Sequence, residues 1–271
     1  MAGEGHRKST FNSNLFAPGG IKSSIHTLKD MKMRKNLRIA SLAAGLLSLL
    51  IMAPGHALGM NKSIDIGANS QAEGASTVNG SITVGSGATV TGDLETVNGS
   101  IRIGENAVIE DAETVNGSVK VAAGVKAQDI GSVNGTIRIG VNVTIEGEVS
   151  VVNGKIGIAS GSTVSEDVSN VNGEIKITGA EIRGNLSTVN GDVSLKEGAN
   201  LHGNLTIKKP GNSGKNKSRK PKIIIGPGSR VGGEIVAEHE VELYISDTAE
   251  VGGVSGVMSM DQAVRFSGKR P

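Results

Sequence analysis

The chain has 271 residues, a formal net charge of +2 and no cysteine. The absence of cysteine excludes disulfide bonds, thiolate metal sites, a catalytic thiol and an acylated lipoprotein cysteine. Aromatic residues make up 1% of the sequence and glycine accounts for 40 residues. This composition disfavours a large aromatic core and favours a narrow, repetitive interior.

Residues 31–57 have the pattern of a secretory signal peptide. Lys and Arg residues precede an apolar stretch over 39–53, Pro54 follows it, and residues 55–57 fit a small-x-small cleavage site. The apolar stretch is shorter than the about 20 residues that span a membrane, so we expect a cleaved leader rather than an uncleaved anchor. The protein is therefore predicted to be exported to the periplasm, cell surface or medium of a bacterium.

Residues 1–30 precede that leader, although a signal peptide normally begins a chain. We interpret them as a disordered upstream extension of the gene, with the true start at Met31 or Met33. The alternative is a start at Met1 and an unusually long basic region. Residues 1–57 contain 8 Lys and Arg and 2 Asp and Glu, which leaves 20 basic and 24 acidic residues in 58–271. The exported remainder therefore has a net charge of −4 and does not indicate nucleic-acid binding.

A three-residue phrase, Val-Asn-Gly, recurs seven times between residues 78 and 191, at steps of 18 or 19 residues. Aliphatic and polar residues alternate after each copy, which is the periodicity of a β-strand. Each unit holds six apolar or small positions, two for each of three short faces, and we count the Val of the phrase among them. The pattern predicts an all-β fold, a three-sided single-strand parallel β-helix (β-solenoid) with one repeat per coil.

The same template fits coils that lack the phrase. Met60-Asn61-Lys62 replaces it in the first coil, and two further coils fit residues 223–256. We therefore expect about ten coils of 18–19 residues, over 58–207 and 223–256. Parallel crossovers favour right-handed winding, while six inward positions per coil leave a left-handed hexapeptide helix as the alternative.

The Asn and Gly of the phrase are predicted to form a corner. Both residue types tolerate positive φ, and stacked Asn side chains form hydrogen-bond ladders in repetitive β structures. We interpret this ladder as structural rather than as a ligand contact. Its predicted members are Asn61, Asn79, Asn98, Asn116, Asn134, Asn153, Asn172 and Asn190.

Residues 208–222, KKPGNSGKNKSRKPK, replace one of these corners with a basic segment that contains no acidic residue. Its Gly and Pro content predicts a flexible loop. The loop is the candidate site for an anionic envelope component, and a solvated insertion is the alternative. The candidate binding residues are Lys208, Lys209, Lys215, Lys217, Arg219, Lys220 and Lys222.

A second basic feature is the set Arg102, Lys120 and Arg138, which occupies the same position in three consecutive units. These side chains should stack on the outside of the solenoid about 4.8 Å apart. Like charges opposite each other are unfavourable, and we interpret the set as a solvated face.

No catalytic residue, metal site, cofactor or nucleotide site is predicted, and we interpret the protein as not an enzyme. The carboxylate pairs Glu110–Asp111 and Glu166–Asp167 fall at expected corners, where we expect them to be solvated. His202 follows an inward leucine and should point outward without a partner. The sequence contains no Ser-His-Asp set, phosphate loop, zinc spacing or calcium-binding nonapeptide.

The phrases VTGDLE (90–95), IEGEVS (145–150), LHGNLT (201–206) and VGGEIV (231–236) resemble the repeat of bactofilins, polymer-forming bacterial cytoskeletal proteins. Val-Asn-Gly-Ser-Ile also resembles bacterial β-strand-repeat proteins described as adhesins. The first resemblance implies a right-handed three-sided β-helix that polymerises end to end without nucleotide. Bactofilins lack a cleaved signal peptide and act at the cytoplasmic side of the membrane, so this chain departs from them in its leader.

These features favour a non-enzymatic exported structural protein of the bacterial envelope that self-assembles end to end. Exposed strand edges would template the pairing, at Ile64 and Ile66 in the first coil and at Leu243 and Ile245 in the last. The tail 257–271 is expected to cap one end.

The alternative function is a surface adhesin or envelope scaffold that binds anionic polymers or lipids through the loop 208–222. In either case the signal peptide would contact the membrane only before its cleavage.

Overall fold

The computed structural model describes residues 57–210, 219–269 and 271. They form an all-β solenoid of about ten coils, with parallel strands stacked on three faces. The predicted fold class is therefore confirmed, and the right-handed winding stays a prediction. The predicted extension 1–30 and signal peptide 31–57 lie outside the described residues except for Ala57, which belongs to the first strand.

The first face carries the Val-Asn part of each repeat. Its ladder runs in sequence order, one strand per coil. The strands are Ala57–Gly59 (β1), Ala75–Thr77 (β4), Leu94–Asn98 (β7), Ala112–Asn116 (β9), Ile130–Asn134 (β12), Val149–Asn153 (β15), Val168–Asn172 (β18), Leu186–Thr188 (β21), Leu205–Ile207 (β24) and the second halves of Arg230–Ala237 (β26) and Glu250–Gly256 (β28).

The second face follows the corner that contains Gly99 and Ser100 and its equivalents, the first corner. It is an 11-stranded parallel ladder. The strands are Ile64–Ile66 (β2), Ile82–Val84 (β5), Ile101–Ile103 (β8), Val119–Val121 (β10), Ile137–Ile139 (β13), Ile156–Ile158 (β16), Ile175–Thr178 (β19), Val193–Lys196 (β22), Lys222–Ile225 (β25), Glu242–Ser246 (β27) and Val264–Phe266 (β29).

The third face follows the corner at residues 104–106 and its equivalents, the second corner, and consists of two-residue strands. Val108 continues it through isolated bridges to Thr89 and Lys126. A third corner, at Glu110 and Asp111 and their equivalents, leads back to the first face. The strands are Gln71–Ala72 (β3), Thr89–Val90 (β6), Lys126–Ala127 (β11), Thr144–Ile145 (β14), Thr163–Val164 (β17), Glu181–Ile182 (β20), Asn200–Leu201 (β23) and the first halves of β26 and β28.

The helical content of the described residues is one 3-10 turn, Met260–Gln262. No helix in this part of the chain has the length and apolar character needed to cross a membrane.

The core is a column of aliphatic side chains from all three faces, as the alternating pattern predicts. In β8, for example, Ile101 and Ile103 are buried and Arg102 between them is exposed. On the first face the predicted sixth inward position is wrong. The strand β7 keeps its alternation from Leu94 onward, so Thr96 is 0% exposed and Val97 of the phrase faces partly outward.

The glycine of the phrase is required because neighbouring coils stack closely at this position. The prediction of positive φ at this corner is wrong for six of the seven copies, and Gly173 is the exception. A Cβ built on Gly117 would lie far inside contact distance of the Gly99 carbonyl oxygen one coil below. The same holds for Gly135 above Gly117. Backbones therefore touch at this corner, and any side chain here would push neighbouring coils apart.

Positive φ occurs instead at the second corner. Asn106 has φ 56° and Gly124, one coil above it, has φ 70°. The left-handed conformation strongly favours Gly and Asn, and the two alternate along this corner from Asn69 to Gly161. A Cβ on Gly124 would meet Oδ1 of Asn106, so the Asn side chain lies over the next glycine.

We predict opposite outcomes for two glycine-to-alanine substitutions. Gly117→Ala should lower the free energy of unfolding by about 2–4 kcal/mol, because its Cβ would overlap backbone. Gly157→Ala is the matched control, since nothing lies within 4 Å of a Cβ at that position. It should change stability by less than about 0.5 kcal/mol or raise it slightly. Urea denaturation measures both, and equal losses would contradict the stacking argument.

Candidate functional site

The asparagines of the phrase form one hydrogen-bonded column along the first face. Each Nδ2 donates to Oδ1 of the asparagine one coil below, at 2.8–3.0 Å. Most of these side chains are exposed, so the column is a surface ladder rather than a buried one. The asparagine ladder comprises Asn61, Asn79, Asn98, Asn116, Asn134, Asn153, Asn172 and Asn190.

A buried hydroxyl column lies beneath the asparagine ladder and supports the stacked glycines. Oγ1 of Thr96 donates to the carbonyl of Gly80 at 2.8 Å, and Oγ1 of Thr114 donates to that of Gly99 at 2.9 Å. The hydroxyls satisfy carbonyls that the glycine corner would otherwise leave buried and unpaired. In the sequence, this column is visible as the Thr or Ser that precedes the phrase in several units. It was missed because the Val that follows was assigned to the inward position.

The third corner carries a side-chain ladder that the sequence reasoning missed. Oδ1 of Asp111 accepts the backbone N–H of Asp129 at 3.1 Å, and Oδ1 of Asp129 accepts that of Glu148 at 2.7 Å. Oδ1 of Asp167 accepts the N–H of Asn185 at 2.8 Å. The interpretation of Asp111 and Asp167 as merely solvated is therefore wrong, because each holds a corner of the next coil.

Two glutamates stack on the first face beside that corner. Glu95 lies opposite Glu113, and Glu113 lies opposite Gly131 in the next coil. The Glu113 side chain rests over Gly131, where a Cβ would contact its Cγ and Oε1 at 3.5 Å. Burial, and then repulsion from Asp111, Glu95, Asp93 and Asp129, raises the pKa of Glu113 to about 7.

The second face carries the predicted row of cations. Lys120 lies between Arg102 and Arg138 in the parallel ladder, and all three side chains are exposed. Within the described residues, no acidic group lies within 4.0 Å of their charged nitrogens. We refer to these three residues as the basic row.

The far end of the basic loop 208–222 is tied to neighbouring coils by ion pairs. Arg219 Nη2 lies 2.7 Å from Oδ2 of Asp192, and Lys220 Nζ lies 2.8 Å from Oε2 of Glu240. Two of the predicted anion-binding side chains therefore already have acidic partners within the chain. Exposed pairs of this kind exchange readily with solvent ions, so they hold the loop only weakly.

Two further members of the loop contact the last coils. The Lys222 ammonium lies 4.6 Å from the centre of the Tyr244 ring, a cation–π contact. The backbone N–H of Lys209 donates to Oε2 of Glu238 at 2.9 Å. Lys208 directly follows β24, and Lys215 and Lys217 lie outside the described residues.

His202 points outward, as the alternation predicts, but it has partners. Its Nε2 lies 2.9 Å from Oε1 of Glu181 and 3.0 Å from Nδ2 of Asn200. Within residues 57–210, 219–269 and 271, no cluster of three or more His, Cys, Asp or Glu is arranged to hold a metal ion.

The tail covers the end of the second face. β29 pairs with β27 and places Val264 opposite Tyr244. Met258 and Met260 pack against the core, and Phe266 is 9% exposed. The prediction of an exposed edge in the last coil is wrong at Ile245, because β29 pairs there, and this is an edge that the tail was expected to cap.

No family model, curated protein or solved structure matches this chain. The candidate functional surfaces are therefore the ladders, the charged rows and the two ends of the solenoid.

Breaking the asparagine ladder in its middle should cost more than breaking it at its end. Asn116→Ala removes two bonds, to Asn98 and from Asn134, each 3.0 Å long. We expect a loss of about 1–2 kcal/mol in the free energy of unfolding. Asn190→Ala removes the single bond to Asn172 and should cost about half as much. Equal losses in urea denaturation would show that the ladder does not act through these bonds.

Stability should depend on pH through Glu113. Because its pKa of about 7 exceeds the ordinary value of 4.5, the folded state holds this proton more tightly than the unfolded state does. The free energy of unfolding should therefore fall as pH rises from about 4.5 to about 7. Glu113→Gln cannot ionise and should be more stable than the parent at pH 8, by up to about 3 kcal/mol.

Glu105→Gln is the control for this pH experiment, since Glu105 is exposed. It should leave the pH profile unchanged. An unchanged slope in Glu113→Gln would assign the pH dependence to other groups.

Proposed function

We propose that this protein is a non-enzymatic structural component of the bacterial envelope that assembles end to end by β-strand addition. The observation that carries the proposal is the open edge of the first coil. Within the described residues, β1, β2 and β3 each have a strand neighbour on one side only. Such an edge is a template for pairing with another chain.

The backbone groups of that edge are oriented for pairing. Ile64 donates its N–H to Ser81, and Ile66 accepts the N–H of Gly85. Since successive peptide groups of a strand point to opposite sides, the N–H and C=O of Asp65 face the open side. Met60, also in the first coil, is 70% exposed, so apolar surface accompanies the free backbone groups.

The two ends of the solenoid differ in a way that supports controlled assembly. The first coil is open in the described part of the chain, whereas the tail 257–271 covers the second face of the last coil through β29. A terminal element of this kind limits the growth of a repeat stack. Export by the leader 31–57 would place the assembly outside the cytoplasm.

An adhesin or scaffold that binds anionic polymers or lipids through the loop 208–222 stays a prediction. The pairing of Arg219 with Asp192 and of Lys220 with Glu240 weighs against a loop of fully available cations. End-to-end assembly uses surfaces that the described coils leave unpaired, and it is therefore the better supported function.

We predict that residues 58–271 form filaments about one solenoid wide, visible by negative-stain electron microscopy over a range of concentration and salt. Asp65→Pro removes the outward N–H of β2 and should shorten or abolish the filaments, because proline blocks an edge strand. Asp65→Ala keeps that N–H and is the matched control. Truncation after Gly256 removes β29 and should lengthen the filaments.

Dispersed short particles of the parent chain under every condition would overturn the assembly proposal. The loop 208–222 would then be the candidate binding surface, and its deletion should abolish binding to anionic surfaces and leave the fold intact.

A further inference from the structure

The basic row is a surface that the end-to-end contact does not use. Arg102, Lys120 and Arg138 lie on three consecutive coils and face solvent from the middle of the second face. Their mutual repulsion is unfavourable, and the described residues place no acidic side chain within 4.0 Å of them. A complementary negative surface would offset that repulsion.

The same three coils carry such a negative surface on the third corner, which we call the acidic corner. In a three-sided coil the corner between the third and first faces lies opposite the second face, so the acidic corner and the basic row point in opposite directions. The acidic groups repel one another, and Asp111 has a raised pKa from burial and from Asp129, Asp93 and Glu110. The acidic corner consists of Glu110, Asp111, Asp129, Glu146 and Glu148.

We infer that a second copy of this chain docks side by side, with its acidic corner against the basic row. Both charged sets repeat once per coil, so their spacing along the solenoid axis is identical at about 4.8 Å. Two copies at the same height therefore bring three cations opposite acidic groups on all three coils. Because the spacings match, a second copy of this chain fits the basic row better than a polyanion with an unrelated spacing of charges does.

The contact joins two different surfaces, so it is heterologous. In a pair, one copy keeps its basic row outside the contact and the other keeps its acidic corner outside it, so the association continues into an open array. Exposed ion pairs are individually weak and are screened by salt. The side-by-side contact should therefore form at low ionic strength, in addition to and independently of end-to-end assembly.

The test is sedimentation velocity of the full chain carrying Asp65→Pro, which blocks the end contact, at about 0.05 M and about 1 M NaCl. We expect the average mass to at least double at low salt and to return to that of the monomer at high salt. In the triple variant Arg102→Glu/Lys120→Glu/Arg138→Glu the association should weaken at least about tenfold, so that it sediments as a monomer at low salt at the concentration where the parent associates.

A charge swap identifies the partner surface. Glu110→Lys/Gln128→Lys/Glu146→Lys places three cations on the acidic corner and leaves the backbone-binding Asp111 and Asp129 in place. Each triple variant alone should stay monomeric, and an equimolar mixture of the two should associate again. Lys126→Glu, which reverses an exposed cation of the third face, is the control and should behave like the parent.

Three results would overturn the inference, provided that circular dichroism shows the variants to be folded. They are a monomeric parent at low salt, association that survives in either triple variant alone, and a mixture that fails to associate. A parent that stays monomeric but binds polyphosphate through the basic row would assign the row to a linear polyanion instead. None of these results bears on the filaments of the chain without Asp65→Pro.

Discussion

The structure depends on the contact between glycine backbones at the first corner. Gly117 lies so close to the Gly99 carbonyl that no side chain fits between them. This approach leaves carbonyls inside the corner, and the buried hydroxyls of Thr96 and Thr114 satisfy them. It also brings successive asparagines to 2.8–3.0 Å, so the surface ladder is a consequence of the same spacing.

Because the coils stack in register, the side chains at each outward position of the repeat form a column along the solenoid. A residue type that recurs at one position of the repeat stands opposite itself in the next coil, which suits asparagine and disfavours charge. The chain tolerates both a cationic column at Lys120 and an anionic one at Glu113 on the same coils. Asp111 shows that an acidic column also has an internal use, since it binds the backbone of the next coil.

The sequence predicted the path of the core well, because aliphatic alternation reports directly on which side chains face inward. Ile101 and Ile103 are buried as expected. The error at Thr96 and Val97 arose because a hydroxyl reads as polar, although a backbone carbonyl inside the corner requires it. The glycine of the phrase was predicted to adopt positive φ, but it is required by the close approach of neighbouring backbones. The residue type alone does not distinguish between these two reasons for a glycine.

The sequence by itself determined the repeat, the three faces and the number of coils, because period and alternation are local properties of the chain. Only the tertiary structure decided which polar groups meet between coils, since those contacts join residues 18 or 19 positions apart. It also decided that β29 closes the edge of the last coil. The local sequence of residues 264–266 does not predict which strand they pair with, because the pairing depends on the path of the chain that precedes them.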